Sequence, residues 1–436
     1  MTEVAENTRE IVLDTLLALE KGEEFSHRLI KSVLDKYNYM DERDKAFIKR
    51  LTEGTIERQT ELDYYLDACS SVPVRKMKPL IRCLMRMSVY QLLYMDNVPD
   101  SAVCNEACKL AQKRKFGSLK GFVNGVLRSI ARQKDALPLP DEKKEPVKYL
   151  SVKYSMPVWL VELWTEVFGR ERTEKMLEGL LAIHPVSLRF RTDLPEAEKN
   201  KVIEQMEQSG AKLTQSKLLP YLYIVKNTES ISDLPGFHEG KFVVQDASSA
   251  FAVEAAGIKS GDYVVDICAA PGGKTMLASE KAGNKGKVLS RDVSETKVAL
   301  IEENIARMGL KNIMVEVHDA TVKDEELCGQ ADVVLADVPC SGLGVMGKKR
   351  DIKYHITPEK IASIGELQKQ IIESSWSYVK QGGVLLYSTC TVNPAENENM
   401  TAWIVENFPF ELEQEKQFVP GEDETDGFYY AKLRRK

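Results

Sequence analysis

The chain has 436 residues, 43% hydrophobic and 29% charged. At about 100–200 residues per domain this is a globular composition for two to four domains, which excludes a single small module. Sixty Lys and Arg against 66 Asp and Glu leave a net charge of −6, so a uniformly basic nucleic-acid coat is excluded as well. No run of about 18 apolar residues occurs, and Met1–Glu10 is acidic where a leader peptide would be basic and then apolar; the expectation is a soluble, cytoplasmic protein.

Charge is unevenly placed. Between Arg75 and Lys134 thirteen Lys or Arg stand against Asp96, Asp100 and Glu106, giving +10 there and −16 elsewhere. Such a stretch suits a polyanion, because neutralised phosphates release counterions whatever the base sequence, and equally suits the solvated face of a helical bundle. The eight cysteines (69, 83, 104, 108, 268, 328, 340, 390) are too sparse for a disulfide scaffold and read as reduced thiols. Cys104 and Cys108 lie four apart on a helix with no second Cys or His pair to complete a zinc site, so they read as core, and no metal is expected.

From Asn7 to about Gln133 apolar residues keep helical spacing (Ile11, Val12, Leu16, Leu19; later Phe122, Val123, Val126, Leu127, Ile130), cut by Gly22, Pro73, Pro99 and Gly117, which predicts an all-α domain. Residues 135–146, DALPLPDEKKEP, combine three prolines with charge and read as an exposed linker. Helical spacing resumes over Lys148–Leu181. A strand (Val186–Arg191), a helix (Pro195–Ser209) and another strand (Tyr221–Val225) follow, which predicts a small α+β unit.

Beyond Phe242 short apolar runs alternate with helices. The runs are Tyr263–Ile267, Val288–Ser290, Ile313–Val317, Val333–Ala336 and Val384–Tyr387, and the clearest helices are Glu295–Met308 and Glu366–Val379. That alternation predicts a parallel sheet with helices on both faces, whose ligands sit beyond the carboxyl ends of the strands. The first run leads into Asp266-Ile-Cys-Ala-Ala-Pro-Gly-Gly-Lys-Thr275, where glycines permit close backbone approach to a ligand. A dinucleotide fingerprint is absent, since Cys268 to Pro271 occupy the glycine positions. A phosphate-binding loop is missed only by Cys268 in place of the first glycine, and Val333–Asp337 imitates a magnesium-binding strand. Against a triphosphate, the next runs end in Asp292, eighteen residues after Lys274, and in His318-Asp319. Carboxylates there meet ribose hydroxyls and an adenine edge, and a string of acids suits the cationic cofactor S-adenosylmethionine.

The last two runs close with Asp337-Val-Pro-Cys340 and Ser388-Thr-Cys390-Thr, so two thiols lie at the cofactor edge of the sheet. Methylation of a pyrimidine at C5 needs this set: a thiolate adds to C6 to make C5 nucleophilic, an acid such as Asp337 near N3 lowers the cost, and a second group assists release. Which cysteine does which is left open by spacing.

The segments QDASS, DICAAPGGKT, DVPCSGLG, YSTCTVNPAENE and DGFYYAKL resemble the RNA cytosine-5 methyltransferases of the Nol1/Nop2/Sun family, and residues 7–133 resemble the helical RNA-binding domain of antitermination factor B. The resemblance implies three domains: 1–137, all-α and RNA-binding; 145–236, small α+β and RNA-binding; 238–436, a Rossmann-like methyltransferase. It implies a monomer acting on a cytosine of 16S rRNA, naked or in an assembling small subunit. It further implies Cys390 as nucleophile, Cys340 as the residue promoting release, and Asp337 as the third catalytic residue. Cofactor contacts carry over onto Cys268, Ala269, Ala270, Pro271, Gly272, Gly273, Lys274, Asp292, Asp319 and Asp337. RNA contacts are expected at Lys348, Lys349, Arg350 and Lys353 near the site, and at Lys113, Arg114 and Lys115 in the helical domain. Lys349-Arg350-Asp351 departs from relatives that carry Pro before the Asp. Two other classes stay open on residues alone: an RNA-binding or antitermination factor with a degenerate methyltransferase domain, and an NTPase.

Overall fold

The computed structural model describes residues 7–22, 24–182, 185–228 and 230–436; residues 1–6 of the acidic Met1–Glu10 stretch lie outside them. The chain divides into two compact units, one comprising residues 1–181 together with Lys348–His355, the other 182–347 with 356–436. No helix among the described residues is long and apolar enough to cross a membrane.

The first unit is helical. Its elements are α1 (Thr8–Glu20), α2 (Ser26–Lys36), α3 (Glu42–Glu57), α4 (Gln59–Cys69), α5 (Pro79–Tyr94), α6 (Asp100–Lys113), α7 (Lys120–Arg132), α8 (Pro146–Lys153), α9 (Val158–Phe168) and α10 (Arg170–Leu181). The helical stripes read in the sequence meet in one core, with Val12, Leu13, Leu84, Val123 and Leu127 fully buried and Cys104 and Cys108 packed among them. Much of the basic stretch is already paired inside this unit: Arg82 with Glu20, Arg86 with Asp63, Lys134 with Asp100.

In the second unit β1 (Val186–Phe190), α11 (Glu196–Gln208), β2 (Lys212–Gln215), β3 (Leu222–Lys226) and β4 (Phe242–Val244) form an antiparallel sheet of order β2-β3-β1-β4. Val202 and Met206 of α11 cover it. Of the stretch expected as one α+β domain, 145–236, the helices α8–α10 pack in the first unit and the strands in the second.

The larger sheet takes α12 (Ala247–Ala256), β5 (Tyr263–Asp266), α13 (Gly273–Ala282), β6 (Lys287–Asp292), α14 (Glu295–Met308), β7 (Ile313–Val317) and β8 (Ala331–Asp337). After α15 (Ile352–His355), which belongs to the first unit, come α16 (Pro358–Ser375), β9 (Val379–Thr389), α17 (Glu398–Asn407), β10 (Phe410–Phe418) and β11 (Phe428–Arg435). Strand order is β10-β11-β9-β8-β5-β6-β7. β5 to β9, the five runs read in the sequence, pair in parallel as expected, and β10 and β11 extend that sheet at one edge as antiparallel strands. The alternation of the strands sorts their residues to two faces. Val265, Val334 and Leu385 pack under α16 and α17, while Val264, Val333 and Leu386 pack under α12 and α13.

The helix expected over Glu366–Val379 instead begins at Pro358, behind an N-cap in which Thr357 accepts from Lys360 N at 3.3 Å. Proline at the first helical position costs nothing there, its missing N–H being unneeded. The following strand already starts at Val379, and a register shift between Ala331/Val379 and Val333/Val384 absorbs the polar residues 380–383.

Candidate active site

The parallel strands bring their carboxyl ends to one edge. β5 ends in Asp266 and passes through Cys268–Gly272 into α13; Gly272, at φ +100°, forms the turn that starts the helix, a conformation that an L side chain resists. β6 ends in Asp292, β8 in Asp337, and Cys390 follows β9 directly. With β5 between β6 and β8, the edge has the crossover geometry at which doubly wound sheets take ligands.

A cavity of about 300 Å³ opens there, and Cys268, Ala270, Asp292, Asp319, Asp337, Cys340 and Cys390 all line it. Ala269, Pro271, Gly272 and Gly273 belong to the same loop and helix start but do not line the cavity. Lys274 is nearly buried and reaches the site through Asp337, its Nζ 2.7 Å from Oδ2 and 5.0 Å from the Phe428 ring centre. The other Asp337 oxygen accepts from Ser388 Oγ at 2.8 Å, so both carboxylate oxygens are oriented. An ammonium spent on Asp337 does not serve a phosphate loop, and the NTPase reading loses its central residue.

Asp292, 4% exposed, is fixed from three sides: Ala270 N donates to Oδ2 (2.9 Å), Val293 N to Oδ1 (2.8 Å), and Lys297 Nζ lies 2.9 Å from Oδ1. Asp319 is exposed and accepts from Thr321 N and Oγ1 at 2.9 and 2.7 Å; the bond from the Thr321 backbone, then that from its hydroxyl, holds the carboxyl below its ordinary value. Behind the loop, Asp266 is fully buried, with Oδ2 accepting from Thr275 Oγ1 at 2.7 Å. Burial pushes its carboxyl up to about 7, and burial likewise raises the Cys268 thiol.

Cys340 Sγ and Cys390 Sγ are 3.2 Å apart, half-buried and not in a disulfide. The contact with Cys390, and then burial, hold the Cys340 thiol well above its ordinary value. The two turns are stitched together by Val338 N to Ser388 O (3.1 Å), Gly344 N to Cys390 O (3.1 Å) and Ser341 Oγ with Thr391 Oγ1 (2.7 Å). Gly344 also touches the backbone of Gly427, where an added Cβ would stand 2.0 Å from the Gly427 oxygen, which is why DGFYY ends its loop against SGLG.

The expected RNA contacts fall into two groups. Lys349 is exposed, as are Lys113 and Lys115, with Lys113 paired to Glu10 and Arg114 to Asp14 and Glu10; Lys348 is half-buried. Arg350 and Lys353 are corrected. Arg350 pairs with Glu53 (3.0 Å) and Glu57 (2.9 Å) inside the helical unit. Lys353 is 3% exposed and donates to the carbonyl oxygens of Glu57 (2.7 Å) and Ser155 (2.6 Å), so no phosphate reaches it. Asp351, beside them, accepts from Ser26 N and Oγ at 2.7 and 2.6 Å, at the start of α2. Sequence reasoning also missed Lys297, which lines the cavity, and Gln368, Glu396 and Asn397, which hydrogen-bond the two turns that carry the thiols. The signal for the last two was the polar run NPAENE.

Residues 255–434 match the family model described as 16S rRNA methyltransferase RsmB/F, and residues 6–132 match the NusB family; the class is a methyltransferase joined to a NusB domain. The chain is 35% identical to the probable ribosomal RNA small subunit methyltransferase B of Bacillus subtilis, over 99% of each chain. It is 30% identical to ribosomal RNA small subunit methyltransferase B of Escherichia coli O1:K1, over 91% of this chain and 92% of that one. The crystal structure of PH0851 superposes with a TM-score of 0.82 at 26% identity, covering 99% and 100%. The chain therefore belongs to the ribosomal RNA small subunit methyltransferase B family of S-adenosylmethionine-dependent enzymes. The cavity fits that cofactor: Asp292, Asp319 and Asp337 offer carboxylates to a ribose and a cation, and Val293, Ala320 and Ile371 offer apolar walls to a purine.

Proposed function

We propose that this chain methylates C5 of a cytosine in 16S rRNA through a transient bond between Cys390 and C6 of the base. The observation that carries this reading is the pair of sulfurs 3.2 Å apart in the same cavity as Asp337. Cys390, as thiolate, adds to C6 and forms the S–C6 bond; electron density moves to C5, and Asp337 faces N3 and the exocyclic amine, with Lys274 as the adjacent cation. S-adenosylmethionine, when bound, supplies an electrophilic methyl carbon. Solvent then takes the C5 proton, the electrons of that C–H bond restore the C5–C6 double bond, and the S–C6 bond breaks with its electrons returning to the Cys390 sulfur, so that the ring recovers its aromaticity. Cys340, kept as a thiol, is the neighbour able to return a proton to the departing Cys390 sulfur.

In this reading residues 1–137 and 145–236 grip RNA and 238–436 carry the chemistry, in a cytoplasmic monomer acting on naked rRNA or an assembling subunit. Phosphate contacts from Lys113, Arg114, Lys115, Lys348 and Lys349 position the RNA without reading sequence. The target base is unpaired or flipped out, since C5 is out of reach within a helix. Bisulfite sequencing of 16S rRNA from cells with and without the gene tests the reading: one cytosine should lose protection in the deletion. In vitro, Cys340→Ala should trap a covalent enzyme–RNA adduct, and Cys390→Ala should abolish adduct and turnover. The reverse pattern would exchange the two roles, and an unchanged bisulfite map would sink the proposal. An RNA-binding factor with a degenerate domain would bind rRNA and transfer no labelled methyl group.

A further inference from the structure

The run Thr391–Glu398, TVNPAENE, has no part in the reaction as described, yet its polar residues are buried: Asn393 is 2% exposed and Glu396 and Asn397 are 0% exposed. Connections between a strand and a helix ordinarily face water, and a buried carboxylate is tolerated only when hydrogen bonds surround it. Here they do. Glu396 Oε1 accepts from Ser341 N (2.8 Å) and Gln368 Nε2 (3.4 Å), and Oε2 accepts from Ser341 Oγ (2.5 Å) and Asn393 Nδ2 (2.8 Å). The same Gln368 nitrogen donates to Pro339 O at 2.8 Å. Both neighbours of Cys340 in the chain are thereby tied to one carboxylate, Ser341 directly and Pro339 through Gln368.

Asn397 does the same for the other thiol. Its Oδ1 accepts from Thr389 Oγ1 (2.5 Å) and its Nδ2 donates to Thr391 O (3.1 Å), so both neighbours of Cys390 are tied to one amide. A further bond from Nδ2 to Gln417 Oε1 (2.7 Å) anchors that amide to β10. Glu396 and Asn397 are consecutive. The single peptide link between them joins the clamp of one cysteine to the clamp of the other.

We propose that Glu396 and Asn397 are positioning residues, each dedicated to one thiol, and that their adjacency sets the spacing of the two sulfurs. The proposal rests on the roles given above to Cys340 and Cys390. Bond formation to C6 and release from it both require sulfur within near-contact distance, and a misplacement of about 1 Å costs about 100-fold in rate. Slack in one turn therefore damages one step. Loosening the Glu396 clamp leaves addition intact and slows release, whereas loosening the Asn397 clamp slows addition.

The test uses the full-length protein, a 16S rRNA transcript and labelled S-adenosylmethionine. Glu396→Gln, Ser341→Ala, Asn397→Ala and Thr389→Val are compared with Cys340→Ala and Cys390→Ala for single-turnover methylation, multiple turnover and denaturation-resistant adduct. Ser341→Ala and Thr389→Val each remove only one hydroxyl from a clamp, so they report even if the Glu396 and Asn397 variants fold poorly; melting temperatures are recorded for all. Glu396→Gln and Ser341→Ala should keep the first methylation, lose about 10-fold or more in multiple turnover and accumulate adduct. Asn397→Ala and Thr389→Val should slow the first methylation by about 10- to 100-fold with no adduct. If Cys340→Ala traps adduct while all four clamp variants lose both phases alike, the assignment of one clamp to one thiol is overturned. If Cys340→Ala itself traps nothing, the reading of the two cysteines falls and takes this proposal with it.

Discussion

Lys274, in the first turn of α13, and Asp337, at the end of β8, are 63 residues apart in the chain and meet at 2.7 Å, while Ser388 takes the second carboxylate oxygen at 2.8 Å. The carboxylate is therefore oriented before any substrate arrives, and its charge is balanced by a nearly buried ammonium. Asp337→Asn keeps the shape and removes the charge. It should lower kcat by about 10²–10⁴-fold, the span of a positioned acid or base, and weaken cofactor binding by less than that, through the carboxylate that it also offers the cofactor; steady-state methyl transfer beside calorimetry with S-adenosylmethionine separates the two.

Asp292 is held by two backbone amides and Lys297 and lines the cavity; we propose it as the ribose acceptor. Asp292→Ala removes an acceptor worth about 1.5–3 kcal/mol for a charged hydrogen bond. Cofactor Kd by calorimetry should rise by about 10- to 100-fold, with little change in RNA binding. An unchanged Kd would exclude Asp292 from the cofactor's contacts.

The cofactor edge was legible in the sequence because it depends on local pattern. Apolar runs ending in Asp266, Asp292 and Asp337, a glycine turn at 272–273, and thiols one and three residues beyond two strands follow from strand period and chain order alone. What was not legible depends on partners far along the chain. Lys349-Arg350-Asp351 and Lys353 look like surface charge, and nothing nearby shows that Glu53, Glu57, Ser26 and Ser155 receive them. The edge strand β10, FELEQEKQF, carries glutamates on exposed positions, the composition by which an open edge resists pairing with other chains, and that composition hides it as a strand in the sequence.

Those distant partners divide the cations of residues 348–353 by function. Lys349→Ala should reduce the slope of log affinity for rRNA against log salt by about 1, as loss of one phosphate contact does. Arg350→Ala should leave that slope unchanged and lower the stability of the protein instead. Filter binding across a salt series, with denaturant melts of both variants, checks the division.

Burial lowers the Lys353 ammonium to about 7, the carboxylates of Glu57 and Glu61 acting against Arg58 and Arg350. In the unfolded chain a lysine keeps its proton to about 10.4. Between these values the unfolded state binds the extra proton, so this residue makes stability rise from pH 7 towards pH 10. Below about 7 both states are protonated and the burial cost is present in full. The expected slope is at most about 1.4 kcal/mol per pH unit. Urea unfolding of the full chain from pH 6.5 to 9 should show that slope in the wild type relative to Lys353→Met, and parallel curves would refute it.

Gly344→Ala places a methyl group 2.0 Å from the Gly427 oxygen, and the turn it deforms carries the bond from Gly344 N to Cys390 O. Overpacking of this kind costs about 1–3 kcal/mol. Methyl transfer should fall by more than the melting curve accounts for, and full activity in a folded Gly344→Ala protein would show that the turn tolerates the shift.

The eight residues 348–355 make the border between the units a matter of packing, not of sequence. A gene fragment encoding 182–436 would carry Lys353, Asp351 and Tyr354 without the carbonyls, hydroxyl and apolar wall that now receive them, and a fragment encoding 1–181 would display an empty seat. Neither half can be cut out cleanly at a linker. Anyone dissecting this enzyme must either keep the chain whole or replace that octapeptide with one that tolerates water.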